Sequence, residues 1–301
     1  MVMTADSSLT QENIEKILKG ITIPSPPQII ADLQIEMAMP DPDLNEMADM
    51  ITKDPGLAGG VLKTLNSPFY GNRDIASISK AVMMLGMTTV ANIVNTLYLR
   101  DYRSQDNEIS DETYKAMTRF WDSATDVARA CRLIAQRLHV NDPDMAYMLG
   151  LFHNAGIPLL MQRFSDYPET IAKSYLLEDK RIVDAENKHY KTNHAVVSFY
   201  AARSWKLPGI LCRVIAEHHN AVEIFSDNDK TDPDEKSYLA ILKIGEHLAG
   251  LSRTIGNNET DEEWQQIQER VLEYIGLSQL DYEDLASHVA DNGIGGQAYF
   301  M

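Results

Sequence analysis

The residues of this chain that could do chemistry lie in apolar surroundings. The stretch MLGLFHNAGIPLLM, Met148 to Met161, sets His153 beside Asn154 in a run too apolar for an exposed loop. An imidazole nitrogen suits zinc, copper, iron or nickel. A carboxylate beside it would add charge and a bridging oxygen, whereas the amide present here offers only a neutral carbonyl oxygen. A second pair follows in LCRVIAEHHNAVEIF. There His218 shares a helical face with Leu211, Val214 and Ile215, and His219 turns about 100° away. Glu186 and His194 in ENKHYKTNHAVVSFY, and Glu246 in ILKIGEHLA, extend the set. Gathered in space, these side chains would form a His/carboxylate group of the kind that holds first-row divalent metals. Each also has an ordinary structural reading. A lone histidine on an apolar helix face is more often a hydrogen-bonded core residue than a ligand, and Glu246 reads rather as a solvent-facing residue at a helix edge. His139, His189, His247 and His288 read as surface residues.

The elements that must position these residues are helical nearly throughout, and strand signals are weak. SLTQENIEKILKG offers Ser8 or Thr10 as a cap and Gly20 as a stop. PSPPQII starts a helix with proline in its first turn. DPDLNEMADMI carries a potential capping box, Asp43 with Glu46, and DPGLAGGVLKTLN repeats the device with Asp54 and Pro55. NSPFYGNRD reads as a turn, and SISKAVMMLGMTTVANIVNTLYL as two helices meeting near Gly86. RDYRSQDNEISDE is polar and marks a boundary. After it, Tyr114, Met117, Phe120, Trp121, Ala124, Val127, Ala128, Cys131, Ile134, Ala135 and Leu138 form the stripe of a central core helix. VNDPDMAYMLGLFHNAG is a capped helix leading into His153. Further helices are expected over 167–178, 194–205, 209–219, 236–250 and 262–275, and the tail from Ser287 reads as loose.

Composition excludes several classes. A net charge of −17 repels a phosphate backbone, and no basic cluster offsets it, so no nucleic-acid partner is expected. No run of about 18 apolar residues is present to span a bilayer, and no basic n-region followed by an apolar h-region marks a signal peptide. No membrane partner is therefore expected. Cys131 and Cys212 both sit in apolar helical segments and read as buried free thiols, which suits a reducing cytoplasm. Neither a G-x-S-x-G elbow nor a P-loop occurs.

Taken in order, the motifs carry a resemblance. ITIPSPPQIIADLQIEMAMPDPDLNEMADMITKDPGLAGGVLKTLNSPFYG is very similar to the opening of the HDOD family, with its proline-rich, acidic DPD and DPxLxxxxLxxxNS…FYG elements. SISKAVMMLGMTTVANIV, FWDSATDVARACRLIAQ, AYMLGLFHNAGIPLLM and AVVSFYAARSWKLPGILCRVIAEHH resemble its later elements, the third matching AFxxGLLHDIGxLxL. The resemblance runs from about Ile21 to about Gly250. It implies an all-α fold with an N-terminal HDOD helical subdomain, placed at 1–104, an HD-like helical bundle at 105–276, and a C-terminal tail at 277–301. HDOD domains are relatives of the HD metal-dependent phosphohydrolases and the HD-GYP cyclic-di-GMP phosphodiesterases. They occur in bacterial signalling proteins and are generally considered regulatory.

An HD hydrolase requires a first His, a His-Asp pair and a late Asp. The resemblance sets Ser123, or within one residue Asp122, at the first position, His153-Asn154 at the pair, and Glu246 at the last. Ile157 stands where active enzymes often carry a Lys. With two ligands lost, no cofactor is expected beyond an adventitious divalent metal, held if at all by His153, His218 and His219. Loss of even outer-shell partners typically costs 10–100-fold in affinity or activity. The expected residual pocket comprises His153, Asn154, Ser123, Asp122, Glu186, His194, His218, His219 and Glu246, able to take a nucleotide or other anion. The leading expectation is a non-catalytic regulatory protein that binds a separate signalling protein. The alternative is a metal-dependent phosphohydrolase acting on a nucleotide or cyclic dinucleotide.

Overall fold

The structure, a computed structural model, describes residue 21 and residues 28–52, 55–70, 77–101, 111–140, 142–176, 180–204, 207–226 and 230–295. It is all-α, with no strand among the described residues. None of the described helices is long and apolar enough to cross a membrane. The expected cap and helix in SLTQENIEKILKG, together with Asp54, lie outside the described residues.

The chain divides into two compact units. Residues 25–108 hold α1 (Gln28–Met37), α2 (Leu44–Thr52), α3 (Pro55–Leu65), α4 (Ile78–Leu85) and α5 (Met87–Asp101). Their apolar stripes close one core around Leu33, Met47, Ile51, Val61, Val82 and Ile93. The two helices expected around Gly86 are α4 and α5. Gly86 lies at φ 79, where a side chain would be strained, so the first helix stops there. The capping box expected of Asp43 with Glu46 does not form. Asp43 accepts from Asn45 N at 2.7 Å, but its own N–H goes to Glu36 Oε1 at 2.6 Å.

The second unit spans residues 109–290. Its axis is α6 (Asp111–Arg137), whose Trp121, Val127, Cys131 and Ile134 are buried as the stripe implied. The side chains of Tyr114 and Met117 lie outside the described ones. Against α6 pack α7 (Pro143–Phe152) and α14 (Pro233–Ala249). Between those two in sequence come α8 (Gly156–Arg163), α9 (Tyr167–Ser174), α10 (Ile182–Tyr190), α11 (His194–Ser204), α12 (Gly209–Glu217) and the short α13 (Ala221–Ile224). After them run α15 (Leu251–Gly256), α16 (Glu262–Ile275) and α17 (Gln279–Asp291). Helix α10 lies over a segment for which the sequence reading offered no element. The stretch from Ser287 is not loose as far as Asp291. It ends α17, whose Tyr282, Leu285 and Val289 are buried.

Two glycines set the spacing that the site needs. A Cβ on Gly150 would stand 2.7 Å from the Ala128 Cα, so only glycine lets α7 lie this close to α6. A Cβ on Gly156 would stand 2.3 Å from the His194 carbonyl oxygen. The start of α8 thus abuts the start of α11, and Gly156 N donates to Ser198 Oγ at 2.8 Å. Both Cys131 and Cys212 are buried and free. Burial pushes the Cys131 thiol well above its ordinary value, and the Glu246 carboxylate adds to the shift.

Candidate functional site

Four buried imidazoles meet in the 109–290 unit, each anchored through its Nδ1. His153 follows the last turn of α7, and its Nδ1 donates to the Gly150 carbonyl at 2.7 Å. His218 follows α12, and its Nδ1 donates to the Ile215 carbonyl at 2.7 Å. Both rings therefore take up carbonyls that a helix end leaves without an intrahelical donor. His194 opens α11, which Asn193 caps through Val196 N at 2.9 Å. Its Nδ1 bonds the Glu186 carboxylate at 2.7 Å. His219 Nδ1 bonds Glu263 Oε1 at 3.1 Å.

A carbonyl or carboxylate oxygen accepts, so each Nδ1 carries a proton, and in a neutral ring Nε2 then keeps the lone pair. These Nε2 atoms point inward. His194 Nε2 and His219 Nε2 are 2.8 Å apart. His218 Nε2 faces Asn154 Oδ1 at 3.2 Å. His153 Nε2 faces Glu246 Oε1 at 3.1 Å, yet the pair is too poorly aligned to hydrogen-bond, and both atoms are buried without another partner. Burial, the neighbouring imidazole and the Lys243 ammonium hold His218 well below its ordinary pKa. Burial and Lys243 do the same for His219.

The carboxylates form an outer layer. Glu186, on α10, is fully buried and accepts from the Tyr167 hydroxyl as well as from His194. Glu246 is buried rather than solvent-facing, which corrects the reading of α14. The reason is Lys243, one turn earlier and 2% exposed. Its ammonium lies 2.8 Å from Glu246 Oε2 and 2.9 Å from Glu263 Oε2. Burial alone would lower the Lys243 pKa, but the two carboxylates outweigh it and hold it above the usual lysine value. Burial would raise Glu246; the Lys243 ammonium outweighs that and lowers it.

The structure thus brings together seven of the nine expected residues: His153, Asn154, Glu186, His194, His218, His219 and Glu246. Ser123 is buried, but its hydroxyl donates back to the Phe120 carbonyl at 3.0 Å, and Asp122 is half-buried on α6. The three imidazoles whose nitrogens lie within 4.8 Å of one another are His194, His218 and His219, rather than the His153, His218 and His219 expected. His153 turns its Nε2 to Glu246 instead. Lys243 and Glu263 were missed. A lysine inside the apolar run ILKIGEHLA, three residues before a glutamate, was the available signal for the first. Nothing marked Glu263 among the acidic residues that open α16. His247 is half-buried rather than on the surface, bonded to Asp261 Oδ2 at 3.0 Å and stacked on Trp264.

The donor set decides which metal chemistry fits. A carboxylate-bridged two-metal centre does not: Asn154 supplies no charge, and Lys243 already occupies Glu246. A single ion bound by nitrogen does fit, because inward Nε2 atoms whose Nδ1 protons are tied to carboxylates or carbonyls are the usual outer-shell arrangement of metal-bound histidine.

The described residues are all α-helical, and their 109–290 unit is built around a buried imidazole–carboxylate cluster. The chain belongs to the HDOD family, whose HDOD domain matches residues 23–221. It resembles an HDOD domain protein of unknown function from Geobacter sulfurreducens, with a TM-score of 0.68, 22% identity and 92% of each chain covered. A Shewanella amazonensis protein provisionally named a phosphohydrolase superposes with a TM-score of 0.65 and 20% identity over 92% of this chain and 93% of that one. A Marinobacter aquaeolei protein provisionally named for signal transduction gives 0.63 and 20% identity over 93% of this chain and 60% of that one. An uncharacterized protein of Treponema pallidum is 27% identical over 206 residues, which are 66% of this chain and 38% of that relative. The chain therefore spans well under half the length of the curated relative it matches.

Proposed function

We propose that this is a non-catalytic bacterial signalling protein of the cytoplasm, acting by binding a separate signalling protein. The observation that carries the reading is the pair Asn154 and Lys243. Two-metal hydrolysis needs carboxylates that neutralise and bridge the ions clamping the attacking and leaving oxygens. Here one such position is an amide and the other is held by an ammonium. A cleft of about 440 Å³ beside the cluster, lined by Arg181, Asp184, Lys191, Asn193, Glu217 and His219, supports a small-ligand role. Lys191 and the amides of Asn187, Asn193 and Asn220 offer donors to a nucleotide or other anion, while Arg181 is paired with Asp184 at 2.7 Å.

The test is a phosphodiesterase assay on bis-p-nitrophenyl phosphate and cyclic dinucleotides, with magnesium, manganese or zinc. The expected result is no turnover above a protein-free control. The second reading, a metal-dependent phosphohydrolase, draws on the inward imidazoles and uses His153, His194, His218, His219 and Glu246. Turnover that His153→Ala abolishes would establish it and overturn the first.

A further inference from the structure

A second cleft shares no residue with the imidazole cluster. It holds about 350 Å³ and is lined from α6, α8, α9 and α15. Phe120, Met161, Ile171 and Ile255 give it apolar walls, and Arg119 and Arg253 line it as well. Phe120, Met161 and Ile171 are buried, so the floor belongs to the core. The ends of α9 and α15 are fastened together. A Cβ on Gly256 would stand 2.3 Å from the Tyr175 Cβ, and Asn258 Nδ2 donates to the Tyr175 carbonyl at 3.1 Å. The walls are therefore set before any ligand arrives, which lowers the cost of binding.

The charge of this cleft runs against that of the chain. The sequence carries 44 acidic residues against 27 basic ones, yet two guanidiniums and no carboxylate line the cleft. The cleft beside the cluster, by contrast, mixes Arg181 and Lys191 with Asp184 and Glu217. Among the described residues neither Arg119 nor Arg253 is paired with a carboxylate. Arg119 is exposed. Arg253 is half-buried, and its Nη2 reaches the carbonyl of Gly295, in the same unit, at 3.4 Å. A guanidinium has five N–H donors, so most of them stay open to a ligand.

We propose that this cleft binds a small amphiphilic anion. Its apolar body rests on Phe120, Met161, Ile171 and Ile255, and its carboxylate or phosphate head is held by Arg119 and Arg253. The planar guanidinium matches either head with two parallel hydrogen bonds. A cleft of about 350 Å³ sits at the small end of ligand pockets, which run roughly 300–1,000 Å³. On an acidic protein, a locally positive cleft is also where an anion can approach. The site gives the molecule a chemical input separate from the cluster. It goes beyond the proposed function and stands whether or not the cluster hydrolyses phosphodiesters.

The test is calorimetry of the full chain with octanoate, octyl phosphate, octanol and inorganic phosphate. The expected result is one octanoate or octyl phosphate per chain, with octanol and inorganic phosphate weaker by about tenfold or more. Arg119→Gln and Arg253→Gln each weaken the anion by about tenfold, and Arg253→Lys recovers only part of that loss, because an ammonium keeps the charge without the fork. Lys191→Gln, in the other cleft, leaves the affinity unchanged. Arg119 is exposed, so its replacement keeps the fold, and circular dichroism checks each variant. Binding of either anion with these losses supports the site, and the tighter of the two names the head. Failure of both anions to bind, octanol binding as tightly as octanoate, or affinity unchanged in both arginine variants overturns it, since the arginines are then only solvated side chains lying over core. A loss confined to Lys191→Gln places the anion in the other cleft and also overturns it. A tripeptide ending in a free leucine carboxylate that binds where both octyl anions fail assigns the cleft to a protein C-terminus and overturns the small-ligand reading.

Discussion

Replacing Lys243 by methionine tests whether the cluster is held together by buried charge. The ammonium is 2% exposed and lies within 2.9 Å of both Glu246 and Glu263. Methionine keeps most of the side-chain volume and removes the charge, which leaves two carboxylates facing each other across a dry site. Removing one partner of a buried ion pair costs about 3–5 kcal/mol. The Glu263 side chain retains 18% exposure, so water offsets part of the loss and the lower figure of about 3 kcal/mol applies. At roughly 1–3 kcal/mol per molar of urea, the midpoint of metal-free protein should fall by about 1–3 M. At about 2–4 °C per kcal/mol, the thermal midpoint should drop by roughly 6–12 °C. Lys243→Met/Glu246→Gln should recover part of the loss, since one of the stranded charges goes with it. Zinc should rescue Lys243→Met more than it stabilises the wild type, because the ion then meets a more negative shell. A loss below about 1 kcal/mol would refute the reasoning, since it would mean that the carboxylates are solvated rather than buried.

Three further outcomes are expected. Asn154→Asp adds a carboxylate at the centre; it should tighten divalent-ion binding by about tenfold or more, read by calorimetry, while lowering metal-free stability by about 1–3 kcal/mol at pH 7. Gly156→Ala forces a Cβ to 2.3 Å from the His194 carbonyl oxygen, so it should cost about 1–3 kcal/mol in urea unfolding and weaken zinc binding; unchanged stability would show that α8 can slide. Metal-free protein should lose stability on acidification below pH 6.5, the ordinary histidine value, because the unfolded chain then takes up protons that buried His218 and His219 refuse. The slope is about 1.4 kcal/mol per pH unit for each histidine, and a flat profile between pH 6.5 and 5.5 would contradict their neutral burial.

Much of this molecule is determined by sequence alone. The helical period places Val127, Cys131 and Ile134 on one buried face of α6, and it marks His218 as core-facing, because the spacing of apolar residues around a helix is a local property. The order of the motifs along the chain identifies the family, and the amide beside His153 is visible in the letters themselves. Tertiary structure decided what periodicity cannot reach. Glu186, His194, His219, Lys243 and Glu263 come from five different helices or their ends, and only the crossing of those helices makes them neighbours. Glu246 reads as a solvent residue until Lys243 is seen to accompany it into the interior, since a buried carboxylate is tolerated only with its partner. Helix α17 was obscured by the glycines that follow it, and it forms because Tyr282, Leu285 and Val289 find a surface to cover. The direction of each imidazole was also beyond the sequence. Whether Nδ1 or Nε2 faces the cavity is set by which carbonyl or carboxylate the packed fold brings to the other nitrogen, and that choice makes four histidines into one site.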